Sequence, residues 1–151
     1  MAGFAILRAI HILSGAAWVG TTFFLIAFVI PAVARSGEAG GRFMERLGPR
    51  IPIAIGPASG LTMLSGLAMY GVDSQGFHPS WILAPTGLTF TIGALAAIAA
   101  GILGGTVLRR NGPPAPGEDA AAAARRTSTV ATTVLVLLGI AVICMAVARY
   151  I

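Results

Sequence analysis

The chain has 151 residues, of which 56% are hydrophobic and only 10% are charged, and its mean hydropathy is +0.88. Soluble domains contain roughly 25% charged residues, so this composition excludes an ordinary soluble domain and indicates a membrane protein, with the lipid bilayer as its first partner. The net charge of +5 comes from arginines in short connections, without any nucleic-acid-reading motif, so we expect no nucleic-acid partner. The single cysteine, Cys144, excludes an intramolecular disulfide.

Four uncharged stretches follow one another along the chain, and each exceeds the ~20 residues that a helix needs to cross a bilayer. These stretches are residues 9–34, 51–72, 77–108 and 127–148. We predict an all-α fold: an integral membrane four-helix bundle with an antiparallel up-down arrangement, formed as a single domain by residues 1–151. The helices are expected at about residues 4–34, 51–71, 81–108 and 119–150.

The arginines between the apolar stretches predict the orientation in the membrane. The first connection contains Arg35, Arg42, Arg46 and Arg50, and the third contains Arg109, Arg110, Arg125 and Arg126. The second connection, residues 73–80, has no basic residue. Short arginine-rich loops stay in the cytoplasm, so we expect both termini outside, in a bacterial cytoplasmic membrane. Arg8 and Arg149 oppose this orientation only weakly, because their long side chains can reach the headgroups.

Small residues spaced by four predict packing faces, because helices in lipid associate through close backbone contact. The third helix carries Gly93, Ala97, Gly101 and Gly105, and the second carries Gly56 and Gly60, with Gly66 beyond. These faces are expected to pack within the bundle, and also against other membrane subunits or a second copy of the chain.

Two helices also carry polar residues on one face, which predicts that this face points into the bundle. The first helix has His11, Ser14, Gly15, Trp18 and Thr22, and the second has Ser59, Thr62, Met63, Gly66 and Met69. Trp18 is expected to be a core packing residue. Trp81, in the loop before the third helix, is expected to be an anchor at the headgroup level.

His11 is the main candidate ligand. Counted inward from the outer ends of their helices, His11 and Met63 lie at the same depth, and Cys144 and Met145 reach about the same plane. An imidazole and a thioether suit either a b-type haem, with His11 and Met63 as axial ligands, or copper as Cu(I). The alternative is that His11 is a neutral imidazole that hydrogen-bonds to a hydroxyl or carbonyl group across the bundle.

The first half of the chain resembles a family of small bacterial membrane proteins grouped around the copper-resistance protein CopD and the HemJ-type protoporphyrinogen oxidase. The similar segments are "LRAIHILSGAAWVGTTFFLIAFVIPAV" and "FMERLGPRIPIAIGPASGLTMLSGLAMYG". The resemblance implies a four-helix membrane bundle in which His11 helps to bind haem or copper. HemJ-type enzymes have a histidine and a lysine at the start of the third helix, where this chain reads "SWILAPTG", so porphyrinogen oxidation is not expected.

Two functions follow from these observations. The first is a haem- or copper-binding membrane protein for electron transfer or metal handling, with His11 as the main ligand. The second is a non-catalytic accessory subunit of a larger membrane complex, in which His11 is a hydrogen-bonding residue of the core. No catalytic residue is predicted, because all five acidic residues lie in the connections between the apolar stretches.

Overall fold

The computed structural model describes residues 2–110 and 120–151, and all the regular secondary structure in these residues is helical. Helix α1 (Ala2–Phe24) continues through a π-helical turn (Leu25–Val29) into α2 (Ile30–Arg35), and α3 (Gly37–Leu47) leads through a 3-10 turn (Gly48–Arg50) into α4 (Ile51–Asp73). The short helix α5 (Pro79–Ile82) precedes α6 (Pro85–Arg110), and α7 (Ala120–Val147) ends in a 3-10 turn (Ala148–Tyr150).

Within the described residues, four helical stretches are long and apolar enough to cross a membrane, as the sequence predicts. They are Ala2–Arg35, Gly37–Asp73, Pro85–Thr106 and Arg125–Tyr150. Large apolar side chains cover the outside of these helices, and Leu13, Ile53 and Leu64 are 72%, 72% and 70% exposed. Such exposure is typical of a surface that faces lipid. The predicted start of the fourth helix, at residue 119, lies outside the described residues.

The first connection is itself largely helical, which the sequence analysis did not predict. Gly37 has a φ of +54°, a left-handed conformation that glycine adopts without steric cost, and the chain reverses there. Helix α3 then packs back against α2 so closely that a Cβ atom on Gly40 would overlap the carbonyl oxygen of Val33. The arginine-rich segment is therefore a helical hairpin, and α3 continues the axis of α4.

The π-helical turn has a local cause in the sequence. Pro31 lacks an N–H group and lies in the first turn of α2, where a regular α-helix would bring its ring against the carbonyl group four residues earlier. Immediately before it, the N–H of Ile30 donates to the carbonyl oxygen of Leu25, five residues back. The wider turn accommodates the proline while the helix continues.

The four long helices form two closely packed antiparallel pairs. Helix α1 packs along α4, with His11 against Gly66, and α6 packs along α7, with Gly93 against Cys144 and Gly104 against Val134. The buried apolar core lies where the pairs meet, and it consists of Trp18, Ala96, Ala97, Ala100, Val134, Leu138 and Ala141. Trp18 is only 3% exposed, which confirms its expected role as a core residue.

The predicted glycine faces are correct in part. Gly93, Ala97 and Gly101 do face neighbouring helices, and a Cβ atom on Gly101 would overlap the methyl group of Met63. In contrast, no atom of the described chain lies within 4 Å of the position that a Cβ would take on Gly56, Gly60 or Gly105. These three glycines therefore meet no other helix within the described chain, and their part in contacts with other subunits or a second copy stays a prediction.

Candidate functional site

A cavity of about 560 Å³ lies between the two helix pairs and is lined by all four long helices. Its volume falls within the roughly 300–1,000 Å³ of typical small-molecule sites. Most of its wall is aliphatic or aromatic, including Ile12, Leu64, Leu67, Phe77, Phe90, Leu95 and Ile98. Leu64, Leu67 and Leu95 are also 70%, 58% and 61% exposed, so the cavity opens sideways between α4 and α6. It can receive an apolar molecule from the lipid.

His11 lies in the wall of this cavity, and its hydrogen bonds define its tautomer. The Nδ1 atom lies 2.9 Å from the carbonyl oxygen of Thr62 and 3.3 Å from Oγ of Ser65, both on α4. A carbonyl oxygen only accepts, so Nδ1 carries the proton and donates it. In the neutral imidazole, Nε2 then carries the lone pair, and it has no hydrogen-bond partner in residues 2–110 and 120–151. His11 thus has one nitrogen fixed to the protein and one available to a ligand.

Gly66 provides the space in which the imidazole ring lies. A Cβ atom at this position would lie 2.8 Å from Cε1 and 3.1 Å from Nδ1 of His11. Real Cβ atoms do not approach other heavy atoms this closely, so any side chain here would displace the ring. The small residue at position 66 therefore has a specific role, which is to let the histidine ring lie close to α4.

A buried hydrogen-bond chain sets the register between α1 and α4. The hydroxyl of Thr62 donates to Oγ of Ser14 over 2.9 Å, and the Ser14 hydroxyl donates to the carbonyl oxygen of Ile10 over 2.7 Å. Both side chains are at least nine-tenths buried. The polar face predicted on the two helices is thus an interhelical contact. It places His11 beside the turn of α4 that accepts its hydrogen bond.

Met63 and Met145 bring two thioethers to the same cavity. The Met63 methyl group reaches towards Gly101, and the Trp18 ring borders the same gap. Cys144 does not line the cavity. Its Cβ atom instead lies 3.0 Å from where a Cβ on Gly93 would be, in the contact between α6 and α7. His11, Met63 and Met145 therefore all line one cavity, whereas Cys144 lies on another face of its helix.

Aromatic residues line the end of the cavity that lies nearest the loop before α6. The hydroxyl groups of Tyr70 and Thr91 lie 2.6 Å apart and connect α4 to α6. The Trp81 ring lies edge-on to Tyr70, with centroids 5.2 Å apart, and stacks on Phe90 at 6.3 Å. Trp81 is half-buried and forms part of the cavity wall. The short helix α5 thus brings the ring against Tyr70 and Phe90, and its role as an anchor at the headgroup level stays a prediction.

Three charged residues border the same end of the cavity: Arg8, Asp73 and Arg149. All three are exposed, and none makes an ion pair or a side-chain hydrogen bond within the described parts of the chain. In the sequence, the two arginines indicate only the orientation in the membrane. Ser65, which the predicted polar face does not include, is 4% exposed and follows Thr62 by one helical turn.

Metal-ligating side chains do not cluster in this region. Within residues 2–110 and 120–151, no group of three or more His, Cys, Asp or Glu side chains could hold a metal ion. The other candidate protein donors near His11 are the thioethers of Met63 and Met145, which are soft ligands.

Comparisons with protein-family models, with curated proteins and with solved structures give no match. The resemblance of the first half of the chain to the CopD and HemJ-type proteins therefore stays a prediction that rests on its sequence motifs. The case for a function depends on the geometry around His11.

Proposed function

We propose that this protein binds a b-type haem in the membrane and transfers electrons through it, with His11 as the main ligand. One observation carries the proposal: the Nδ1 proton of His11 is donated to the carbonyl oxygen of Thr62, 2.9 Å away, while Nε2 is left free in the wall of a large apolar cavity. Histidines that ligate a metal almost always donate their other N–H in this way, because the bond fixes the tautomer and the ring orientation.

The size of the cavity favours haem over a single copper ion. A copper ion needs several donors within bonding distance of one point, whereas this space of about 560 Å³ is of the size that a whole organic molecule fills. When bound, a haem supplies a redox-active iron. His11 would hold the iron through Nε2, Met63 would provide the weaker thioether ligand, and the aliphatic and aromatic walls would exclude water from it.

The proposal is tested by haem titration of the purified protein in detergent, with the other histidine of the chain as a matched control. His11→Ala removes the nitrogen ligand, so we expect the Soret band of the complex to be lost or its haem affinity to fall more than tenfold. His78 lies in an exposed loop, does not line the cavity and hydrogen-bonds to Ser80, so His78→Ala should bind like the wild type. Met63→Leu keeps the volume and should shift the spectrum or potential without abolishing binding.

Two outcomes would contradict haem binding at His11. Equal haem affinity in the wild type and in His11→Ala would show that the ring does not ligate iron and serves only as a hydrogen-bond donor to Thr62. If the wild-type protein binds Cu(I) in a His11-dependent manner but does not bind haem, the cofactor is copper and not haem.

We further propose that both termini lie outside a bacterial cytoplasmic membrane, in an antiparallel up-down four-helix arrangement, with the α2–α3 hairpin in the cytoplasm. The arginines of that hairpin support this orientation, and Arg42 pairs with Glu38 at 2.7 Å on its exposed surface. Single cysteines introduced into a Cys144→Ser background should be labelled from the cytoplasm at residues 36–50 and 110–125, and from outside at residues 73–80. Labelling of residues 73–80 only from the cytoplasm would show that the orientation is the opposite of the one proposed.

The second candidate function, an accessory subunit or homo-oligomer, is favoured by the outward-facing glycines of α4. Gly56 and Gly60 have the four-residue spacing of helix-contact motifs, and no described atom of the chain covers them. We expect Gly60→Leu to lower self-association in detergent, measured by sedimentation, without changing helix content. An unchanged association state would show that this face of α4 does not form a contact between copies of the chain.

A further inference from the structure

The charged end of the cavity contains more positive than negative charge. Arg8 and Arg149 both line it, together with a single carboxylate, Asp73. Arg8 precedes His11 by three residues on α1, and Arg149 follows Met145 by four residues beyond α7, so each arginine lies about one helical turn from the level of the candidate ligands. Two arginines therefore border one end of a cavity whose other walls are mostly apolar.

These arginines have no partner within the described chain. Neither forms an ion pair or a side-chain hydrogen bond in residues 2–110 and 120–151, in contrast to Arg42, which pairs with Glu38. Guanidinium groups are well suited to carboxylates, because their N–H donors match two carboxylate oxygens at once. Arginines without a partner at the rim of an apolar cavity are complementary to a ligand that is apolar along most of its length and anionic at one end.

We propose that Arg8 and Arg149 bind the carboxylate groups of the cavity ligand, so that the ligand is an anionic amphiphile whose acidic end points towards Asp73 and the loop before α6. This inference rests on the proposed haem function and adds a second recognition element, which does not involve iron. His11 selects the metal, and the two arginines select the free carboxylates and define which way round the ligand binds. Asp73 weakens this selection, because its charge repels the same carboxylates.

The experiment compares haem with its dimethyl ester, which keeps the iron and the ring but has no free carboxylate. Dissociation constants are measured for the wild type, Arg8→Gln, Arg149→Gln, the double variant and Arg50→Gln. Arg50 is a matched control, because it is an exposed arginine at the opposite end of α4 and does not line the cavity. All the substituted side chains are exposed, so we expect folding to be retained, and gel filtration with circular dichroism checks it.

We expect the wild type to bind haem more than tenfold more tightly than the ester. Each arginine substitution should weaken haem binding by about fivefold, the upper end of the range for an exposed ion pair, and leave ester binding unchanged. Raising the salt concentration should reduce the preference for haem, because exposed charges are screened. Asp73→Asn should increase the preference for haem over its ester, because it removes the charge that repels the carboxylates. Metal-free protoporphyrin IX should show the same dependence on the arginines but none on His11.

The outcomes distinguish the two proposals. If the wild type binds neither haem nor the ester, both proposals are overturned. If it binds both equally and His11→Ala abolishes binding, the haem site stands and the role of the arginines is overturned. If the arginine variants keep the preference for haem but lose affinity for vesicles that contain anionic phospholipid, the arginines bind lipid headgroups and the inference is again overturned.

Discussion

The two helix pairs of this protein are held together by different chemistry. Helices α1 and α4 meet through polar side chains, with Thr62 bonded to Ser14 and His11 bonded to the Thr62 carbonyl group. Helices α6 and α7 meet through alanines, glycines and branched apolar residues, such as Ala100 at 0% exposure and Leu138 at 1%. The first pair thus has directional contacts at a few points, and the second has continuous close packing.

The two helix pairs therefore have different roles: α1–α4 orients the candidate ligand His11, and α6–α7 provides a packed wall of the cavity. A hydrogen-bonded contact fixes the orientation of particular groups, and the α1–α4 pair uses it to fix one nitrogen of His11 and leave the other free. A contact of small residues fixes only the distance between two helices. Through such a contact, α6 and α7 form the wall of the cavity opposite His11. The cavity lies between the pairs, where Tyr70 and Thr91 connect α4 to α6. Substitutions can test each kind of contact separately.

The largest effect is expected where the apolar pair meets the polar pair. Gly101→Leu would drive a side chain into Met63 and the Trp18 ring, and overpacking of this kind costs about 1–3 kcal/mol or more. We expect a loss of about 3 kcal/mol in SDS-induced unfolding and a lower yield of folded protein. Gly105→Leu, one turn further along the same helix and pointing into open space, should change stability by less than about 0.5 kcal/mol. Equal effects at both positions would show that Gly101 is not a contact between the pairs.

A smaller effect is expected at Gly66, on the polar pair. An added methyl group would lie 2.8 Å from the His11 ring, so Gly66→Ala must displace the ring and weaken its bond to Thr62. We expect a loss of about 1–2 kcal/mol of stability and a fall in haem affinity. Gly60→Ala is the control on the same helix, because its methyl group meets no described atom, so stability should not fall and haem affinity should stay unchanged. A variant at position 66 with unchanged haem affinity would show that the orientation of the ring is not important for binding.

Much of this arrangement can be predicted from the sequence. The four membrane-length helices follow from apolar runs that are too long for any other element, and the burial of Trp18 follows from its depth in the first run. The shared level of His11 and Met63 follows from counting helical residues inward from two adjacent helix ends, because rise per residue is constant in a helix.

Other features depend on rotation and on local packing, which periodicity alone does not determine. Cys144 and Met145 are adjacent in sequence, yet only Met145 lines the cavity, because successive residues on a helix are about 100° apart. The spacing of the glycines is regular, but Gly101 faces a neighbour and Gly105 faces open space. The cavity role of Arg8 and Arg149 depends on how the helix ends meet, which no local pattern encodes.

The smallest effect is expected for the hydrogen bond that aligns α1 with α4. Thr62→Val keeps the side-chain volume but removes the hydroxyl that donates to Ser14, and interhelical hydrogen bonds in membranes contribute about 0.6 kcal/mol on average and at most about 1.7. We expect a loss of that size in SDS-induced unfolding. Haem affinity should stay unchanged, because His11 bonds to the backbone carbonyl of Thr62, which valine also has.

Thr133→Val is the control on the apolar pair, because that hydroxyl bonds only within its own helix, to the carbonyl oxygen of Thr129. Its stability should equal that of the wild type, since the substitution removes no contact between helices. If both threonine variants lose the same stability, the bond between Ser14 and Thr62 contributes nothing beyond a local hydroxyl. The polar pair would then be held by the His11 hydrogen bonds and by close packing, as at Gly15, where a Cβ would lie 3.6 Å from the methyl carbon of Thr62.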